Sequence, residues 1–306
     1  MGLVTNRINR QWAHILPGIP FWATVDFPRF SRGKKNCTTY FSFSRQLFRL
    51  AFGLRKNRFE IAVDLRTQPG YHEGKLVCLL SGAARRIGGP GKRSAKLFLT
   101  DIDPTSTGHE STRLRARLER ALGSSLPTVK KPIIQNLERA KRNGIRVLIH
   151  PGAGHPSKQW PEAHWKSLIH GLLSQKPSWQ VIVAAAPGDT TLAETISSGT
   201  DASVRLTPTI PDLVDLISSA SLVIGLDSAA VHISALCGTP ALTIFAGTTD
   251  PARWHALGNS KFLFHSVPCS PCWSGECKIF GHPCMSEISP KTVLREALAL
   301  LETVVR

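Results

Sequence analysis

SLVIGLDSAAVHISALCGTPALTIFAG, residues 221–247, changes its periodicity twice. SLVIGL and PALTIFAG are short apolar runs of strand type. Between them AAVHISALC has helical spacing and stops at Gly238, the residue type that ends helices in a left-handed turn. Strand, helix and strand in succession predict a parallel sheet. The same stretch sets a chemical problem. Asp227 and His232 sit inside an apolar run, and a carboxylate buried without partners is costly. Either the pair is structural or the chain gathers polar groups at a pocket.

The alternation continues on the amino-terminal side. IRVLIH (145–150) is strand-like and leads through a Gly/Pro loop to a helix from about 161, where Pro161 suits a first helical turn. QVIVAAA (180–186), the loop PGDTT and the helix LAETISS come next, then a short element near 204–207 and the helix PDLVDLISSA. The pattern is that of a doubly wound α/β sheet, whose ligands bind outside the carboxyl ends of the strands. Three loops therefore converge: HPGAGHPSK (150–158), APGDTT (186–191) and GLDSAAVH (225–232). Further upstream, FEIAVDL (59–65) reads as a strand opening into a polar turn. EGKLVCLLSGAARRIGGPGKR (73–93) reads as a helical pattern with a Gly-rich basic end exposing Arg85, Arg86, Lys92 and Arg93, and 110–123 as a helix closed by Gly123. The turn-rich, charged stretch 124–145 divides the chain into expected domains 1–130 and 131–306.

The 306 residues carry a net charge of +17. Residues 1–130 hold 23 Lys/Arg against 8 Asp/Glu (+15), and 131–306 hold 15 against 13 (+2). The basic half predicts an anionic partner: nucleic acid, an anionic membrane surface or a phosphorylated acceptor, against the plainer reading of a solvated basic face. No helix-turn-helix, zinc-finger or RNA-binding signature accompanies it, so nucleic acid is not expected. No apolar run approaches the roughly 20 residues of a spanning helix, and MGLVTNRINRQW has no apolar signal core, which predicts a cytosolic protein.

At the converging loops, Gly152 and Gly154 let backbone approach a ligand, and a loop entering a helix offers free N–H groups to an anion. Lys158 adds a point charge. Asp227 and Ser228 precede the second helix, where Asp227 could cap it or accept sugar hydroxyls. The set favours a phosphate-bearing ligand.

IHPGAGHPSKQWPEAHW, VIVAAAPGDTTLAETI and LISSASLVIGLDSAAVHISALCGTPALTIFAGTTDPARWHALG, in this order, closely resemble the carboxyl-terminal half of bacterial ADP-heptose:lipopolysaccharide heptosyltransferases, glycosyltransferase family 9. FEIAVDL and LLSGAARRIG resemble the second half of the family's amino-terminal domain, so the resemblance covers about 55–306. It implies a GT-B fold of two Rossmann-like domains with parallel sheets, the carboxyl-terminal one holding the nucleotide sugar ADP-heptose without a required cofactor. It implies Lys158 at the donor diphosphate, and Asp227, Ser228, Ala229 and His232 at the sugar and diphosphate. Asp189 is implied near the adenosine ribose, and Ala153 and Gly154 as backbone donors. The implied acceptor is an anionic lipid of the lipid A-Kdo type in the lipopolysaccharide inner core, at the cytosolic face of the inner membrane. Arg85, Arg86, Lys92 and Arg93 would meet its phosphates.

Two departures stand out. Ala229 replaces the family's usual Gly, and its methyl narrows the approach to the diphosphate. The family's opening strand and Gly-Asp loop, with its base, has no match; ILPGIPFWATVDF (15–27) resembles the family's next segment after that opening. This predicts an incomplete amino-terminal domain, from a truncated gene model or a degenerate relative that binds nucleotide sugar without turnover. Asp64, at a strand's carboxyl end, is then the nearest candidate base. Finally, Cys269, Cys272, Cys277 and Cys284 have the spacing C-x2-C-x4-C-x6-C, a candidate structural Zn site against the plainer reading of reduced thiols.

Overall fold

The structure is a computed structural model that describes residues 2–5, 11–12, 21–24, 37–66, 73–90, 95–104, 107–128, 134, 144–176 and 178–305. The chain divides into two compact units, Met1–Thr128 and Val129–Arg306.

In the first unit, β1 (Gly2–Thr5) and β2 (Phe21–Thr24) form a parallel pair. The opening segment was expected to lack a strand; GLVT and FWAT are each too short to show an alternation. Helix α1 (Cys37–Lys56) buries Leu50 and Leu54 against Leu47, Phe59 and Val77. A second parallel sheet contains β3 (Ile61–Val63), β4 (Arg85–Gly88) and β5 (Asp101–Ile102) in that order. Around it lie α2 (Glu73–Leu80), α3 (Ala95–Phe98) and α4 (Glu110–Leu122), with α4 closed by Gly123 at φ 66°. Arg85 and Arg86, expected in a basic loop after a helix, begin β4 instead.

Arg117 on α4 is fully buried. Its Nε donates to Asp103 Oδ2 at 3.0 Å, and its Nη1 donates to the carbonyls of Asp64 at 2.8 Å and Arg66 at 3.0 Å. One guanidinium thus ties α4 to the chain leaving β3 and β5. It pairs with a carboxylate and two carbonyls, the kind of compensation a buried charge requires.

The second unit is one six-stranded parallel sheet. In chain order its elements are β6 (Arg146–His150), α5 (Glu162–Leu173), β7 (Gln180–Ala185), α6 (Thr190–Ser197), β8 (Ser203–Leu206), α7 (Ile210–Ser218), β9 (Leu222–Leu226), α8 (Ala229–Cys237) and β10 (Ala241–Phe245). Next come α9 (Pro251–Trp254), β11 (Ser260–Phe264), α10 (Pro283–Ser286) and α11 (Pro290–Val305). Strands β9 and β10 are buried along their whole length, as continuous apolar runs covered by helices on both faces should be. Helix α7 starts with a reciprocal Thr209–Asp212 capping box, and α8 ends at Gly238 with φ 68°. Trp160 and Trp165 pack edge to face at 4.8 Å, and Trp160 Nε1 donates to the Ile288 carbonyl, which joins the start of α5 to the chain before α11.

The strand order β11-β10-β9-β6-β7-β8 reverses direction between β6 and β9. At such a switch point the loops leaving two adjacent strands diverge, and a crevice opens at their carboxyl ends.

Candidate active site

The register pairs His150 with Gly225, so the ends of β6 and β9 lie side by side at the switch point. A 3-10 turn at Pro156–Lys158 brings Lys158 across. Its Nζ lies 2.6 Å from Asp227 Oδ2 and donates also to the Asp227 carbonyl at 3.2 Å. Thr249, beyond β10, donates its hydroxyl to the same Oδ2 at 3.1 Å, and His232 Nε2, one turn into α8, is 3.8 Å from Oδ1. Burial pushes the Asp227 carboxyl up, but His232, Lys158 and Thr249 together outweigh it and hold the carboxyl below its ordinary value. The His232 contact is longer than a hydrogen bond, so the closer Lys158 ammonium is the firmer anchor.

Asp227 does not cap α8. Ser228 occupies the cap position without a side-chain cap bond, and its hydroxyl is buried without a partner, as is that of Thr248. The Ser228 hydroxyl is thus a polar group left without a partner at the amino terminus of a nine-residue helix, whose first N–H groups are also free of intrahelical partners. Ala229 is the first residue of α8 and is exposed.

On the other side of β6, Asp189 stands at the amino end of α6 with no side-chain cap bond. Its carboxylate lies against Gly152: a Cβ there would come within 2.2 Å of Asp189 Oδ2. Gly152 is therefore required for this close approach, whereas Gly154 has open space around it. Ala153 is partly buried in the same loop. Buried His150 carries an Nδ1 without a partner; burial pushes its pKa down, and the nearby Asp189 opposes that shift.

The loop 268–284 buttresses the crevice. Ser157 donates to the carbonyls of Ser274 and Gly275, and His282 Nε2 lies 3.0 Å from the Ser157 carbonyl. Cys272 N and Trp273 N donate to Gly247 and Thr248. Thr248 and Thr249 did not figure among the expected site residues, and this loop did so only as the carrier of the cysteine cluster. The signal was available for the threonines, which come directly after the apolar strand ALTIFAG at its carboxyl end.

The four cysteines of the candidate Zn site are neighbours: burial first, and then charge on Cys277, Cys269 and Cys272, push the Cys284 thiol up. Cys269, Cys272 and Cys277 are exposed, whereas Cys284 is buried on α10 against Gly247. Among the described residues no group of three His, Cys, Asp or Glu side chains is arranged to hold a metal ion. Helix α10 anchors the fourth cysteine in the core, and the other three lie exposed on the loop near it.

Asp64 is not an open carboxylate. Its side chain is 3% exposed, with Oδ1 accepting from Arg66 and Oδ2 lying 3.8 Å from the equally buried Lys75 Nζ. The candidate base is thus buried beside two cations, and its Oδ2 accepts no hydrogen bond among the described residues. Arg85 and Arg86 are also engaged: Arg85 donates to the Ala121 carbonyl, and Arg86 to those of Phe98 and Ala83. Lys92 and Arg93 lie outside the described residues.

The fold and crevice define a doubly wound α/β protein with a cluster of charged and hydroxyl side chains at the switch point of its sheet. The chain belongs to glycosyltransferase family 9 (heptosyltransferase), whose profile matches residues 47–282. Lipopolysaccharide heptosyltransferase 3 of Escherichia coli is 29% identical over 156 residues, covering 49% of this chain and 43% of that protein. Lipopolysaccharide heptosyltransferase 1 of Pseudomonas aeruginosa is 25% identical over 172 residues, covering 51% and 47%. The chain thus spans about half the length of these curated relatives. Among solved structures, a family 9 glycosyltransferase from Veillonella parvula superposes with a TM-score of 0.77 at 16% identity, covering 99% of this chain and 88% of that one. The E. coli heptosyltransferase WaaC with ADP gives 0.69 at 18%, covering 98% and 100%. At these identities the superpositions show the fold: α/β with parallel sheets, matched over nearly the whole chain.

Proposed function

We propose that the protein transfers heptose from ADP-heptose to an anionic lipid of the lipid A-Kdo type in the lipopolysaccharide inner core, at the cytosolic face of the inner membrane. In this reading the second unit, about 131–306, holds the donor, and the basic first unit, about 1–130, serves the acceptor. The observation that carries it is the Lys158–Asp227–Thr249 cluster beside the amino terminus of α8.

Glycosyl transfer leaves negative charge on the departing ADP. Lys158 and the first N–H groups of α8 are fixed in position to stabilise that charge. Asp227, held ionised, accepts hydroxyl protons of the sugar, and the Ser228 and Thr248 hydroxyls complete the polar wall. His232 faces the same carboxylate and can give a hydrogen bond to a diphosphate oxygen. Asp189, poised over Gly152, suits a ribose diol. Nucleotide-sugar donor binding also accords with the family, one of whose solved members was captured with ADP.

A second reading has a specific observation behind it: the burial of Asp64 beside two cations leaves the first unit without an assigned base, as in a relative that binds donor without turnover. One experiment separates the two. The purified protein is incubated with ADP-heptose and heptose-free lipopolysaccharide, and both ADP release and acceptor mass are followed. A mass gain of one heptose supports transfer. Saturable donor binding with no ADP release favours the second reading, and failure to bind ADP-heptose refutes both. An Asp64→Asn protein that folds and transfers at the wild-type rate removes Asp64 as a base.

A further inference from the structure

Helix α1 presents a second face that, Arg55 apart, the described residues leave exposed. At 100° per residue, Arg45, Phe48, Arg49, Phe52, Arg55 and Lys56 fall within an arc of about 120°, opposite Leu50 and Leu54. Phe48 is 76% exposed and Phe52 70%. Arg45, Arg49, Arg55 and Lys56 are exposed beside them. Residues 37–56 contain no Asp or Glu. A helix that merely meets water would seldom place two phenylalanines one turn apart on its outer face. A protein surface matched to this face would need its own carboxylates, and a second copy would bring like charges together. Phenylalanines interleaved with cations, without any acid, have the chemistry of a helix that lies in the interface of an anionic bilayer. There the rings enter the acyl boundary while the arginines and lysine reach phosphate. No described helix is long and apolar enough to cross a membrane, so contact would be at the surface.

We propose that the outer face of α1 binds anionic phospholipid membranes, with Phe48 and Phe52 inserted and Arg45, Arg49 and Lys56 paired to lipid phosphates. Arg55 contributes less, because its Nε also donates to the Leu80 carbonyl. This deepens the membrane-surface element of the proposed function but does not depend on donor binding or catalysis.

The test is cosedimentation of the full chain with vesicles of phosphatidylcholine alone or with 30% phosphatidylglycerol (about a third anionic, as in a charged leaflet), with no donor or acceptor present. Binding is expected only with phosphatidylglycerol. Arg45→Gln/Arg49→Gln should weaken it about 30-fold, and Phe48→Ser/Phe52→Ser about tenfold or more. All four positions are exposed, so circular dichroism and melting should be unchanged in both variants, and ADP titration of the same preparations keeps the donor-site reading separately testable. Vesicle binding by both variants equal to wild type would overturn the proposal. So would the absence of wild-type binding, or a concentration-dependent dimer that Phe48→Ser/Phe52→Ser dissolves, which would identify a second copy as the occupant.

Discussion

Lys158 is spent on Asp227, and this makes the two residues respond oppositely to mutation. At 2.6 Å and an effective dielectric of about 20, the gross attraction is about 6 kcal/mol. Desolvation offsets most of it, because the side chains are only 17% and 9% exposed. A diphosphate must recruit this ammonium and tolerate the carboxylate: at about 5 Å each added negative charge is repelled by about 3 kcal/mol on the same scale before Lys158 compensates it. Asp227→Asn removes both the competition and the repulsion, and should tighten ADP about tenfold, or about 1.4 kcal/mol. Glycosyl transfer should nevertheless fall, because the sugar loses its carboxylate acceptor. Lys158→Met should weaken ADP about 100-fold and cost the second unit about 2 kcal/mol of stability, since Asp227 stays largely buried with Thr249 and His232 as its remaining partners. Calorimetric titration with ADP at neutral pH and low salt, with melting curves as a fold control, reads both effects. An Asp227→Asn protein that loses ADP affinity as severely as Lys158→Met would refute the reasoning.

Gly152→Ala should melt within a few degrees of wild type, because the Asp189 side chain can rotate from the new methyl, yet bind ADP about tenfold more weakly by calorimetry once that carboxylate is displaced. The Asp227 carboxyl lies below its ordinary 3.8 in the folded protein, so the stability it contributes is complete above that value and is lost as pH falls through the lower folded value. The difference in melting temperature between wild type and Asp227→Asn should therefore stay constant from neutrality to about pH 5 and shrink below about pH 4. Burial, with help from the Asp64 charge, pushes the Cys78 thiol up to about 12, while Cys269, Cys272 and Cys277 are exposed. Brief alkylation at about pH 8, near the ordinary thiol pKa, with peptide mass spectrometry as the readout, should label those three and leave Cys78 unmodified; labelling of Cys78 in the folded protein would contradict its placement.

The second unit was legible because its strands and helices differ in period and are separated by strong stops. SLVIGL, AAVHISALC and Gly238 each became the element expected of them. The strand-end rule also brought Lys158 and Asp227 to one crevice, though the sequence left open whether Asp227 would cap the helix. Their 2.6 Å pairing and the third partner, Thr249, come from contacts between residues 69 and 22 positions apart, which no local pattern encodes. The first unit was less legible for related reasons. RRIG looks like the charged tail of a helix, and only pairing with β3 and β5 makes it a strand. The exposed Phe48 and Phe52 blur the single apolar stripe that would have announced α1. Asp64 does come at the end of a strand, but Arg117, 53 residues away, holds its carbonyl and closes the end of β3 over it.

The claim that the β6–β9 switch point is the nucleotide site is tested most directly by hydrogen–deuterium exchange of the wild-type protein with and without ADP. The account predicts slowed exchange in 150–158, 186–191, 225–232 and 247–249, with the largest protection at the first turn of α8. Unchanged exchange in these segments at saturating ADP, or protection confined to other parts of the chain, would contradict it.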